Sequence, residues 1–174
     1  MIVPSSASGW RESTKDGYLV EKDELDLMRS KKHWEETSKE TTDTDGPTYL
    51  NPLSPEAMIF RRAIAFIGGL TAVDGATILN DKYEVIGFGR KIILKLDPPT
   101  TIAVANLLGE PAAEEDLPFK EIGGTRHQSA ACFANEHPES VALVTSQDGR
   151  MTLFRKVDYG LRALRRCEAL LPGD

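Results

Sequence analysis

Two tight-turn signals constrain the fold of this chain more than any other feature. Asn80-Asp81 and Asp148-Gly149 each lie between two short runs of apolar and β-branched residues, four to six residues long. Runs of that length around such a turn predict β-hairpins. Because helical segments lie between the hairpins, the sequence predicts an α/β chain of mixed α+β character. Its expected architecture is a central mixed β-sheet flanked by helices.

Three helices are expected from capping signals and apolar spacing. The first covers residues 54–70, with Ser54 as N-cap and Pro55 in the first helical position. The second follows two glycines and covers residues 125–135, and a basic amphipathic helix is expected at residues 159–171. Further strands are expected at residues 92–96 and 119–122, and residues 101–108 are expected as a strand or a short helix.

Composition differs between two parts of the chain, and the net charge limits the classes of molecule that the protein is expected to bind. Residues 1–50 are predicted to be a polar, partly helical N-terminal arm, and residues 51–174 a folded domain that ends in the basic helix. The net charge of −6 argues against binding DNA, RNA or an anionic membrane. No apolar run approaches the ~20 residues that span a bilayer. No signal peptide is evident, and Cys132 and Cys167 match no metal-ligand spacing, which predicts reduced thiols in a cytoplasmic protein.

Two short segments carry residues suited to chemistry. In the first, Asp74-Gly75-Ala76, an acidic side chain precedes an apolar strand, and Asp74 is able to ligate a metal or accept a proton. The alternative is an ordinary Asp-Gly turn. The second segment runs from Gly123 to Ser129 and opens a helix with glycines, a hydroxyl, Arg126 and His127. Free N–H groups at a helix start favour an anion, and the alternative is a capped helix with an exposed arginine.

The two segments together resemble the DisA-type diadenylate cyclase (DAC) domain family. That family carries Asp-Gly-Ala at the start of a strand and, farther on, Gly-Thr-Arg-His opening a helix that two strands follow. The matching pieces here are residues 74–76, residues 124–127 and the strands on either side of the Asp148-Gly149 turn. The resemblance covers about residues 53–155 and implies a DAC-like fold.

The resemblance also implies a reaction. In that family two domains meet face to face, each holding one ATP, and condense the nucleotides to cyclic di-AMP with Mg²⁺ or Mn²⁺. It implies that Asp74 holds the metal and acts on the 3′-hydroxyl, and that a homo-oligomer forms. The residues implied to contact the nucleotide or its phosphates are Gly75, Ala76, Gly124, Thr125, Arg126, His127, Gln128 and Ser146.

Departures from the family pattern favour binding over catalysis. Gln128 stands where the family has arginine, and residues 145–147 are uncharged where the family has charged side chains. We therefore expect a sensor or degenerate enzyme that binds an adenine nucleotide or a cyclic dinucleotide. Two alternatives stay open: an active diadenylate cyclase, and a protein-interaction module with a vestigial pocket whose N-terminal arm binds a protein partner.

Overall fold

The computed structural model describes residues 1–20, 55–106 and 115–167, and these residues form an α+β fold with mixed sheet. The expected fold class is therefore confirmed. Two 3-10 turns, Gly9–Arg11 and Phe119–Glu121, join the regular elements. Those elements are β1 (Ile2–Val3), β2 (Thr14–Lys15), β3 (Tyr18–Leu19), α1 (Pro55–Thr71), β4 (Ala76–Asn80), β5 (Val85–Ile92), β6 (Thr101–Asn106), β7 (Glu115–Pro118), α2 (Thr125–Glu136), β8 (Ala142–Thr145), β9 (Met151–Val157) and β10 (Gly160–Arg165).

The chain divides into two compact units. One consists of Met1–Lys15 and Ile92–Asp174, and the other of Asp16–Lys91. This division differs from the boundary expected at residue 50, because the first residues belong with the C-terminal half. Ile2 and Val141 exchange backbone hydrogen bonds of 2.8 and 2.9 Å. Residues 21–50 of the expected arm, and the expected N-cap Ser54, lie outside the described residues.

The first unit contains a mixed sheet with the strand order β7-β6-β10-β9-β8. Only the pair of β6 and β10 is parallel, and the other neighbours are antiparallel. The expected hairpin around Asp148-Gly149 is confirmed as β8 and β9, and residues 101–106 are a strand. No helix among the described residues is long and apolar enough to cross a membrane.

The core of the first unit lies between this sheet and α2, which packs against β8, β9 and β10. Alanines on α2 let the helix approach the strands closely, and Cys132 is buried beside them. Burial raises the pKa of the Cys132 thiol, with a smaller contribution from Glu136. The buried apolar side chains of this core include Ile102, Val104, Ala130, Ala131, Ala134, Phe154, Leu161 and Ala163.

The last residue of α2 fixes two distant segments of the first unit. One Glu136 carboxylate oxygen accepts the backbone N–H groups of Lys95 and Leu96 at 2.8 and 2.9 Å. The other oxygen accepts the Ser13 hydroxyl at 3.2 Å. The Ile93 N–H also donates to the Ser13 carbonyl at 2.9 Å, so the two segments run side by side.

The second unit contains α1 and a small antiparallel sheet in which β5 pairs with β3 and β4. The expected hairpin at Asn80-Asp81 is confirmed. The Asn80 side chain closes its turn, since its oxygen accepts the N–H groups of Lys82 and Glu84 at 3.0 and 2.9 Å. The expected first helix is confirmed as α1, although its Ile64 and Phe66 side chains are about half exposed.

The helix expected at residues 159–171 is wrong where the structure describes it, because Gly160–Arg165 is strand β10. Leu161 and Ala163 are buried and Arg162 is exposed, which is the alternation of a strand. Gly160 has a φ of 127°, a turn conformation that starts the hairpin with β9. Residues 168–171 lie outside the described residues.

Two expected strands are also wrong. Residues 119–121 form a 3-10 turn, closed by the Ile122 N–H, which donates to the Phe119 carbonyl at 3.3 Å. The segment lies between Pro118 and the glycine pair, which leaves too few residues for a ladder. In the segment 92–96 only Ile92 belongs to a strand, because Glu136 takes the N–H groups of Lys95 and Leu96.

Candidate functional site

Several strands of the mixed sheet end at the same side of the sheet, and we call this side the sheet edge. Arg165, the last residue of β10, lies beside Asn106 of β6 and Thr152 of β9. β8 ends at the same edge, because Thr145 pairs with Met151 at the start of β9. The carboxyl ends of β6, β8 and β10 therefore lie together. Open α/β sheets bind ligands at edges of this kind.

The start of α2 offers backbone donors without a side-chain cap. Gly124 is the N-cap residue, and no side chain caps the helix. The first N–H bonded in the helical pattern is that of Gln128, which donates to the Gly124 carbonyl at 3.1 Å. Helical geometry leaves the N–H groups of Thr125, Arg126 and His127 directed out of the helix end. These donors and the helix dipole favour an anion at this position.

The two glycines before α2 have different tasks. Gly123 has a φ of 142°, and a Cβ there would lie 2.9 Å from the ring of His127. The Gln128 amide donates to the Gly123 carbonyl at 3.0 Å, so this side chain braces the loop. Gly124 has no atom within 4 Å of a Cβ built on it. The loop is therefore fixed on its Gly123 side and open at Gly124.

His127 lies between the helix start and the sheet edge. Its ring meets Phe154 edge-on, with centroids 6.3 Å apart and planes 84° apart. Burial of the ring lowers the pKa of His127, the charge of Arg165 lowers it further, and Asp148 raises it. The imidazole therefore favours the neutral form. The contact of the Arg165 guanidinium with the Ile122 carbonyl oxygen, at 3.4 Å, places Arg165 next to the loop that leads into α2.

Two arginines supply positive charge near this edge. Arg126 is exposed in the first turn of α2. Arg165 is half-buried, and its Nη2 lies 3.4 Å from the Ile122 carbonyl oxygen. Sequence reasoning missed Arg165 because it placed that residue in a helix. The alternation of apolar Leu161, charged Arg162 and apolar Ala163 is the sequence signal that could have indicated a strand here.

Ser146 is near the same edge but its hydroxyl is engaged. Its Oγ bonds to the Asp148 carboxylate and lies 3.0 Å from the Arg150 carbonyl oxygen. Arg150 in turn forms a 3.1 Å ion pair with Asp148. The Ser146 hydroxyl therefore already has hydrogen-bond partners within the turn. The uncharged residues 145–147 are followed directly by the ion pair of Asp148 and Arg150.

Asp74, Gly75 and Ala76 belong to the second unit, so the structure does not assemble them with the α2 residues within one unit. Asp74 is exposed at the end of the segment that leads into β4. Gly75 has a φ of 118°, and a Cβ there would lie 2.5 Å from the carbonyl carbon of Gly89. Ala76 pairs with Arg90. Backbone packing against β5 therefore explains Gly75 without any ligand.

The residues expected to hold a divalent cation do not make a protein cage. Within residues 1–20, 55–106 and 115–167, no three His, Cys, Asp or Glu side chains converge to hold a metal ion. Asp74 is thus a single carboxylate, whereas Mg²⁺ sites need further oxygen ligands. Asp74 would hold such an ion only together with water and the phosphate oxygens of a bound nucleotide, which is a common way of binding Mg²⁺.

Comparisons with protein-family models, with curated proteins and with solved structures find no match to this chain.

Proposed function

We propose that this chain is a DAC-like domain that binds an adenine nucleotide or a cyclic dinucleotide, as a sensor or degenerate enzyme. The observation that carries the proposal is the uncapped start of α2, with Arg165 in contact with the loop that leads into it. The Gly-Thr-Arg-His order at the same position, which resembles the DAC family, supports a phosphate rather than another anion.

The donors at this edge suit a phosphate. Three backbone N–H groups leave the helix end, Arg126 adds a planar fork, and Arg165 contributes a second guanidinium charge. Open space at Gly124 lets a ligand approach the backbone. This arrangement of donors and positive charges suits a negatively charged group.

Two features favour binding over turnover. The Gln128 amide is occupied with the Gly123 carbonyl and brings no charge. Asp74 is not part of a cluster of three metal-ligating side chains among the described residues. Loss of one donor to a developing charge typically slows a reaction by about 10²–10³. A chain with Gln128 in place of the family's arginine is therefore better suited to binding one nucleotide than to condensing two.

Calorimetry with ATP and with cyclic di-AMP tests the binding site. Arg126→Ala and Arg165→Ala should each weaken binding by about 1.5–3 kcal/mol, the scale of hydrogen bonds to charged groups. Arg155→Ala is the matched control, because Arg155 is an exposed arginine of β9 that alternates to the sheet face opposite the buried Phe154. Equal affinities of the Arg126 and Arg155 variants, or no binding by the unmodified protein, would contradict the proposal.

The working-cyclase alternative is favoured by one observation, the exposure of the Asp74 side chain. Incubation with ATP and Mn²⁺, followed by chromatography, separates it from the sensor. The sensor proposal expects nucleotide binding without cyclic di-AMP formation. Product formation by the unmodified protein that Asp74→Asn abolishes would establish the cyclase instead.

A further inference from the structure

Helix α1 of the second unit leaves much apolar surface exposed. Its Met58, Ile64 and Phe66 side chains have 47%, 49% and 53% of their surface exposed. Helix α1 packs against β4, yet even Ala63 and Ile67 are only half-buried, and none of the α1 side chains that the structure describes is buried. Helices in proteins gain most of their stability by packing an apolar face. The exposed apolar surface of α1 is therefore suited to packing against another molecule.

One side of α1 carries a row of large and small residues, which we call the outer stripe. It consists of Met58, Arg62, Ala65, Phe66 and Gly69. Counted from the first residue, these positions are i, i+4, i+7, i+8 and i+11, which lie on one side of an α-helix. All five residues are exposed. The outer stripe is therefore open to a second surface along about three turns of the helix.

Gly69 leaves a gap in the outer stripe that one copy of the chain does not fill. A Cβ built on Gly69 meets no atom within 4 Å. Glycine within a helix is less stable than alanine, but it lets another chain approach the helix closely. The gap at Gly69 therefore fits a large side chain of a second molecule.

The arginine of the outer stripe matches the charge at the end of α1. The last turn of α1 contains no basic residue, and a helix C-terminus carries a partial negative charge that a cation stabilises. Arg62 is exposed in the middle of the helix, and it forms no ion pair with any residue that the structure describes. An antiparallel second α1 brings the two together, because its last turn lies beside the first half of this helix.

Size and charge together select one register for such a pair of helices. A two-fold axis between Ala65 and Phe66 places Phe66 of each copy opposite Ala65 of the other. The same axis places Arg62 opposite Gly69, in the last turn of the second helix. A large residue then faces a small one at both positions, and the guanidinium reaches the negative end of the helix dipole. Each contact occurs twice, because a two-fold interface uses the same patch on both copies.

We propose that the outer stripe of α1 binds the same stripe of a second copy of this chain in an antiparallel arrangement. The inference goes beyond the proposed nucleotide-binding function and does not depend on it. A 17-residue helix is about 26 Å long and about 10 Å wide. One such helix from each copy buries less than the about 1,200 Å² of a standard interface. The dimer is therefore expected to be weak and to depend on protein concentration.

Sedimentation equilibrium of the full chain without nucleotide tests the dimer from about 1 µM to about 1 mM, the range of weak complexes. The average mass of the unmodified protein should rise from 19.2 kDa toward twice that value. Phe66→Asp should weaken association at least about tenfold, because it places two carboxylates at the apolar centre. Ile64→Asp is the matched control, because Ile64 is about as exposed but lies two residues away, on another side of the helix. It should change the dissociation constant less than about twofold.

Cysteine cross-linking tests the direction of the two helices. Residue 65 lies beside the proposed two-fold axis, so mild oxidation of Ala65→Cys should join two copies by a disulfide. Met58→Cys is the matched control on the same stripe. In the antiparallel arrangement its two copies are about 22 Å apart along the helix axis, so they should stay unlinked under the same conditions. The native Cys132 and Cys167 are buried.

Each contrary result has a distinct meaning. A mass that stays at 19.2 kDa up to about 1 mM would overturn the proposal and leave the nucleotide-binding function standing. Equal association of Phe66→Asp and Ile64→Asp would also overturn it, and equally fast cross-linking of Met58→Cys and Ala65→Cys would overturn the antiparallel register. If circular dichroism shows that Phe66→Asp is unfolded, the cysteine variants decide. Cross-linking of Ala65→Cys alone then supports the proposal, and no cross-linking of either variant overturns it.

Discussion

Substituting Gly75 tests whether this glycine serves the fold or a ligand. A side chain at a φ of 118° costs about 1–3 kcal/mol in backbone strain. The added Cβ of Gly75→Ala would also lie 2.5 Å from the Gly89 backbone. Backbone cannot rotate away as a side chain does, so overpacking adds about 1–3 kcal/mol. Gly75→Ala should therefore lower the free energy of unfolding by roughly 2–6 kcal/mol.

Substitutions of two other glycines separate the backbone strain from the overpacking in this loss of unfolding free energy. Gly149 has a φ of 80° with open space around it, so Gly149→Ala carries the strain alone and should cost about 1 kcal/mol. Gly69 lies in α1, also with open space, and Gly69→Ala should stabilise by about 0.5–1 kcal/mol. Urea denaturation followed by circular dichroism measures all three. If Gly75→Ala unfolds at the same urea concentration as Gly149→Ala, the close approach of Gly75 to Gly89 is refuted.

Arg165→Gln should raise the pKa of His127, because the Arg165 charge helps to lower it, and NMR titration of the imidazole checks this. Since this pKa is lowered on folding, the contribution of His127 to stability is full above about pH 6.5 and declines as the pH falls. His127→Gln should therefore reduce the loss of stability as the pH falls below about 6.5 in urea titrations. Gln128→Arg should tighten ATP binding about tenfold in calorimetry, because it adds a charged donor. Glu136→Ala should lower the free energy of unfolding by roughly 1–3 kcal/mol in urea denaturation, because three donors lose their acceptor.

The sequence correctly predicted the elements whose backbone conformation depends on residues close by in the chain. The Asn80-Asp81 and Asp148-Gly149 turns specify hairpins within a few residues, and the glycine pair before Thr125 marks a helix start. Each of these signals acts through backbone conformation close to the residue concerned. The elements that depend on distant partners were harder to predict.

The last strand shows why. Leu161 and Leu164 are three residues apart and fit a helical face, but Ala163 is also buried and Arg162 is exposed. Pairing with β6, more than fifty residues earlier in the chain, decides in favour of a strand. That pairing also brings Arg165 to the start of α2. No local pattern contains such a contact, so one arginine of the candidate site was missed.

The hydrogen bond between Ser13 and Glu136 has a consequence for biosynthesis, because it joins residues 123 positions apart. A ribosome adding about 5–20 residues per second needs roughly 6–25 s to make that stretch. During this time Val3 and Trp10, both buried in the finished protein, lack the Glu136 and Val141 contacts that secure their segment. Residues 16–91 are complete in the nascent chain well before that. Residues 2–13 thus leave the ribosome before the residues that fix them are made, and a chaperone would meet this segment unprotected.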